Sequence, residues 1–136
     1  MRILVDTDVL IDLALDRRPH ASASSELLEM LESHRADGFV AWHSASNFYY
    51  LVAPSRGGRD AREFLVDLSR FLEIAPTTTD SLRVAGRLPL TDFEDAMQVA
   101  AALACGADAI ATRNVRDYAR SPVEAVLPAT LVRRVS

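Results

Sequence analysis

The chain has 136 residues, 49% hydrophobic and 25% charged, which suits a single globular domain that buries about two-thirds of its unfolded surface. All 15 of its Lys+Arg residues are Arg. That excludes a P-loop NTPase, which needs a phosphate-binding Lys, and Schiff-base chemistry, which needs an amine. With 19 Asp+Glu the net charge is −4, so this is no basic-patch polyanion binder; a bound metal or a local Arg cluster would have to supply any attraction for nucleic acid.

One cysteine, Cys105 in the run AALACG, rules out a disulfide framework and a Cys-based zinc site, and reads as a small buried hydrophobe. Asp6 and Asp8 interrupt the apolar N-terminus before a signal sequence can form, and no run reaches 18 apolar residues. A cytoplasmic, membrane-free protein is expected.

In chain order, Arg2-Ile3-Leu4-Val5 reads as a buried strand. Thr7 or Asp8 then caps a helix through Val9, Leu10, Leu13 and Leu15. Ala21 to Ser33 is an amphipathic helix, with Leu27, Leu28 and Leu31 forming its apolar stripe. Phe39 to Trp42 is a second strand candidate, followed by a helix from Ser44 to Val52 that stops at Pro54. Another helix runs from Asp60 to Phe71, a short strand covers Glu73 to Ala75, and a helix capped by Thr79 or Asp80 ends near Leu88. Asp92 to Ala104 is a strong helix, acidic at its start, Ala-rich, and ended by Gly106. Asp108 to Thr112 is a strand, and Val126-Leu127 a weaker one. The glycines and prolines mark no linker, so residues 1–136 form one domain. Alternating strands and helices predict an α/β three-layer sandwich with a central, mostly parallel sheet.

Ligands of such sheets gather at the carboxyl ends of the strands. Asp6 follows the first strand there; Asn114 and Asp117 follow the strand ending in Thr112; Asp92, Glu94 and Asp95 open a helix. Converging carboxylates repel one another, and a hard divalent cation such as Mg²⁺ or Mn²⁺ offsets that repulsion. Two such ions suit an in-line phosphodiester displacement. The bland reading of the same acids is helix capping, dipole compensation and solvated turns.

The segments ILVDTDVLIDLAL, DFEDAMQVAAALACGADAIATRN and RNVRDY together resemble the PIN-domain nucleases, including the toxins of VapBC-type toxin–antitoxin modules, over nearly the whole chain. The resemblance implies a PIN-like fold and a Mg²⁺- or Mn²⁺-dependent endoribonuclease, often a homodimer, with RNA as substrate and a cognate antitoxin as partner. Asp6 matches the family's first metal-binding Asp and Asp95 its third acid. Asn114 or Asp117 completes the site from the T-x-[DN]-x-x-[DE]-[FY] motif, supported by Thr112. Glu94 looks like part of an acidic pair. Asp8 stands where the family commonly has Asn.

The family's second acid is missing. Within HSASNFYYLV the matching position is Asn47, so either Glu94 or Asp8 compensates or the protein is a slow or inactive nuclease that binds RNA or a partner protein. Phosphate contacts fall to arginines near the last motif, Arg113, Arg116 and Arg120, with Arg17 and Arg18 as further candidates. Trp42, Tyr49 and Tyr50 could stack on bases, but their apolar segments read as core. His20, His34 and His43 show no metal spacing and carry no expected role. The enzyme rival is a haloacid-dehalogenase-type phosphatase, whose D-x-D motif is matched by Asp6-Thr7-Asp8; it lacks support because that family also uses a Lys.

Overall fold

A computed structural model describes residues 1–136. Five short strands make one sheet: β1 (Arg2–Val5), β2 (Asp37–Val40), β3 (Leu72–Ile74), β4 (Ala109–Ala111) and β5 (Glu124–Val126). Their spatial order is β3-β2-β1-β4-β5 and every pairing is parallel. The helices are α1 (Thr7–Ala14), α2 (His20–Glu32), α3 (Trp42–Arg56), α4 (Gly58–Leu68), α5 (Thr79–Arg87), α6 (Phe93–Ala104) and α7 (Pro128–Val135), with a 3₁₀ turn at Val115–Tyr118.

Period-two alternation along the central strands sorts the layers. Ile3 and Val5 of β1, with Ala109 and Ala111 of β4, face a core shared with α1, α2, α3, α4 and α7, where Phe48, Leu27 and Leu131 are fully buried. Leu4 and Ile110 point the other way, against Val99, Ala101, Ala102 and Cys105 of the α6 layer. The small alanines of α6 let it lie close to the sheet. The expected α/β sandwich is the fold found, and its sheet is wholly parallel. Cys105 is free and buried.

The chain winds from β1 outward through β2 and β3, then returns to the other side of β1 for β4 and β5. The direction of winding therefore reverses between β1 and β4. A crevice opens at the carboxyl ends of strands where this happens, and Asp6 and Thr112 stand there.

Several boundaries differ from the sequence reading. Asp6 caps α1, its carboxylate accepting from the Thr7 N–H at 2.7 Å, in place of Thr7 or Asp8. Trp42 ends no strand: β2 stops at Val40 and Trp42 opens α3. Pro54 does not stop α3, because in a last turn a proline removes only one helix bond; Gly57, at φ 89°, terminates it. The helix expected over Asp60 to Phe71 is α4, shifted to Gly58–Leu68. Helix α7 has no counterpart in the sequence reading, and Pro128 is its first residue. No helix is long and apolar enough to cross a membrane.

Candidate active site

Asp6 is the hub of the β1–β4 crevice. Its Oδ2 accepts hydrogen bonds from Thr112 Oγ1 at 3.0 Å and Tyr118 Oη at 2.9 Å, while Oδ1 takes the Thr7 N–H. Burial raises its pKa, and the nearby Glu94 charge raises it further; the three hydrogen bonds work against both. Thr112 is fully buried and also accepts from the Asn114 N–H at 3.0 Å. It thus ties the end of β4 to Asp6 on one side and the following turn on the other.

Asp8 lies beside this hub. Its Oδ2 accepts from the Asn114 side-chain amide at 2.6 Å, and Thr112 Oγ1 lies 3.4 Å away. A hydroxyl has one proton to give, and the shorter contact assigns it to Asp6. Asp8 Oδ1 is buried with no partner. Burial and the Asp6 charge push the Asp8 carboxyl up to about 7.

The second group of acids comes from α6. Asp92 is its N-cap and accepts from the Asp95 N–H at 3.0 Å, so the capping reading holds for Asp92. Asp92, Glu94 and Asp95 bring carboxylate oxygens within 4.8 Å of one another. Burial, followed by the charges of Asp92, Glu94, Asp6 and Asp117, raises Asp95 to about 7. Asp6 and Asp117 act on Asp95 from β1 and the 3₁₀ turn, so acids from three parts of the chain share one electrostatic field.

Glu94 behaves differently. Burial raises its pKa, yet the His43 and Gln98 side chains outweigh that and leave it lowered. Its Oε1 lies 3.0 Å from His43 Nε2, 3.1 Å from Gln98 Nε2 and 3.5 Å from Asn47 Nδ2. Asn47 therefore stands against the acids, at the position where the second acid of the pattern was expected. Gln98 is fully buried, and its amide also reaches Thr7 Oγ1 at 3.2 Å and Ser44 Oγ at 2.9 Å, linking α1, α3 and α6.

Of the arginines, Arg113 is committed within the fold: its Nε donates to Asp12 Oδ2 at 2.7 Å, and Asp12 is 1% exposed. Arg17 approaches the same carboxylate at 3.9 Å, and Arg18 pairs with exposed Asp16. Arg116 and Arg120 are in no ion pair. With Asp92, Asp95 and Asp117 they line a polar cleft of about 300 Å³.

Tyr118, His43, Gln98 and Asp12 were not singled out as site residues from the sequence. Tyr118 closes the last motif, and Gln98 sits four residues after Glu94 on one helical face; both signals were available. His43 lies 51 residues from its partner and left none.

The donor set fits a hard divalent cation. It is all carboxylate oxygen, the acids Asp6, Asp8, Asp92, Asp95 and Asp117 are in no ion pair with arginine, and Asp8 Oδ1 is an orphaned buried acceptor.

A parallel α/β sandwich with acids gathered at its switch point defines the class of protein. The family profile of the PIN domain matches residues 2–116, and the chain belongs to that family. Two solved structures share the fold. The crystal structure of VapBC2 from Rickettsia felis, bound to a DNA fragment from their promoter, aligns at TM-score 0.72 and 17% identity over 93% of this chain and 98% of the other. VapBC-1 from nontypeable Haemophilus influenzae aligns at TM-score 0.70 and 14% identity, over 94% and 98%. No curated protein sequence matches the chain. Family membership sets aside the phosphatase reading of Asp6-Thr7-Asp8.

Proposed function

We propose that the chain is a Mg²⁺- or Mn²⁺-dependent endoribonuclease and the toxin of a toxin–antitoxin pair. The observation that carries this reading is the meeting of Asp6, Glu94, Asp95 and Asp117 in one field in which only Glu94 has an ion-pair partner, His43. Asp6, Asp95 and Asp117 would hold the metal, with Asn114 acting through Asp8. When bound, the cation supplies Lewis acidity toward a phosphodiester and activates water.

The chain's own residues do the rest. Thr112 and Tyr118 fix the Asp6 carboxylate in one orientation. His43 and Gln98 keep Glu94 ionised and turned toward the cleft's acids. Arg116 and Arg120 offer guanidinium forks to RNA phosphates, while Arg113 braces the loop that carries Asn114. The VapBC neighbours support an antitoxin partner; a homodimer and a cytoplasmic setting are part of the same proposal and rest on the family resemblance alone.

Asn47 favours a second reading, an RNA- or protein-binding PIN domain with weakened catalysis. An amide next to Glu94 brings no charge where the second acid would. Cleavage of structured and unstructured RNA in Mg²⁺, Mn²⁺ and EDTA separates the two. The nuclease reading predicts metal-dependent cleavage that is lost in Asp6→Asn and Asp95→Asn. RNA binding without cleavage under every condition would support the second.

A further inference from the structure

Charge is unevenly spread along the chain. Beyond Thr112 stand five arginines and two acids, a local charge of +3 in a chain of −4. Two of those arginines line one cleft of about 580 Å³ between the 3₁₀ turn, β5 and α7: Arg116 from the turn and Arg134 from α7. The cleft adjoins the acids. Arg116 and Asp117 line both it and the cleft of about 300 Å³ that holds Asp92 and Asp95, so the 3₁₀ turn is the partition between the two. The β2–β3 side of the same sheet edge offers no such partner, because the cavity beside His43 has no arginine in its lining.

The volume suits a ligand of nucleotide size, which takes a pocket of about 300–1,000 Å³. Val115 and Leu127, both exposed, add apolar wall beside the arginines. Such a lining matches a nucleotide: its phosphate takes a guanidinium fork, and its ribose or base covers the apolar wall. Arg116 is in no ion pair. Arg134 donates to Glu124 Oε1 at 2.9 Å and to Oε2 at 3.2 Å, the two-pronged contact that a phosphate also accepts. Both partners are open to water, at 44% and 58% exposure, and an ion pair so exposed contributes little. A phosphate therefore displaces Glu124 from Arg134 at small cost. Arg113 also lines the cleft, but Asp12 holds it.

We propose that this cleft holds the nucleotide next to the scissile phosphodiester, its phosphate taken by Arg116 and Arg134 in exchange for Glu124. The inference rests on the RNA reading of the acids. It gives the bound strand a path, across the 3₁₀ turn toward β5 and α7, and makes Glu124 a built-in competitor for the phosphate.

Binding of a fluorescein-labelled RNA octanucleotide to the full chain is followed by anisotropy in Mg²⁺ as salt is varied, with Asp6→Asn present throughout so that the strand is not cut. In that background Arg134→Ala is expected to weaken binding about five-fold and to lower the salt slope by about one. Glu124→Gln is expected to strengthen binding about three-fold, the worth of one exposed pair. Arg133→Ala makes the same charge change one residue away, outside the cleft, and is expected to alter affinity less than about two-fold. Equal losses in Arg133→Ala and Arg134→Ala overturn the proposal, because diffuse charge then accounts for both. So does a Glu124→Gln variant that binds no more tightly, which tests the same contact should Arg134→Ala fail to fold. RNA affinity left intact in Arg134→Ala while antitoxin binding falls also overturns it and makes the cleft a protein interface. Cleavage by the chain with Asp6 restored keeps the two readings apart. Metal-dependent cleavage with equal effects at Arg133 and Arg134 sinks the cleft alone; the expected affinity pattern without cleavage upholds the cleft where the nuclease reading fails.

Discussion

Asp12 on α1 and Arg113 after β4 are 101 residues apart and joined by a 2.7 Å hydrogen bond, with the Asp12 carboxylate almost wholly buried. Asp12 Oδ1 has no hydrogen-bond partner, so this arginine is the main neutraliser of an interior charge. Removing one member of such a pair is costly, about 3–5 kcal/mol. Arg113→Ala is expected to destabilise by that order in denaturant unfolding, and Arg116→Ala by no more than about 0.5 kcal/mol. Conversely, Arg116→Ala should weaken RNA binding and reduce its salt slope by about one. Equal stability losses would refute the division of labour between the two arginines.

Asp95 is held at about 7 by burial and by the charges of Asp92, Glu94, Asp6 and Asp117. Its ionised form therefore strains the metal-free fold. Asp95→Asn should raise the melting temperature of metal-free protein at pH 8 while lowering cleavage by at least about a hundred-fold, the trade expected where a site stores repulsion. Loss of activity together with loss of stability would point to a structural role.

The same repulsion fixes the sign of the pH dependence. Asp8 and Asp95 ionise near 7 in the fold but at ordinary carboxylate values, near 3.8, when unfolded. Between those limits the folded chain holds protons that the unfolded chain has released, so stability falls as pH rises from near 4 to about 7 and levels off above that. Glu94 and Glu124 are lowered and act only at more acid pH. Metal-free protein should melt higher at pH 5.5 than at pH 8, and Mn²⁺ should raise the melting temperature more at pH 8, where these acids are already ionised, than at pH 5.5, where binding must first release their protons. A metal-free stability that increases from pH 5.5 to 8 would count against this account.

Asn47 supplies a gain-of-function prediction. Its amide lies 3.5 Å from Glu94, so Asn47→Glu adds a carboxylate at the site. Mn²⁺ affinity and cleavage rate should both rise, by about ten-fold, while the metal-free melting temperature at pH 8 falls. Unchanged metal affinity would show that Asn47 is not part of the metal-binding field.

The central strands and α6 were legible because their local signals agree: Ile3-Leu4-Val5, Ala109-Ile110-Ala111, and an acidic start to an alanine-rich helix. Asp6 and Asp95 were legible for the same reason, as acids at the ends of confident elements. Trp42 is not legible from the sequence, because Phe39-Val40-Ala41-Trp42 looks like one apolar strand, whereas in the fold β2 ends at Val40 and Trp42 opens α3, largely exposed. Helix α7 was hidden by Pro128, which reads as a stop and is here a start. The His43–Glu94 and Asp12–Arg113 contacts join residues far apart in the chain, and no local pattern encodes them.

The most direct measurement is a calorimetric titration of Mn²⁺ into wild type, Asp6→Asn and Asp95→Asn at pH 8. The account predicts binding by the wild type and at least ten-fold weaker binding by each variant, with all three folded. No binding by the wild type, or equal affinity in all three proteins, would contradict the claim that these acids form a metal site.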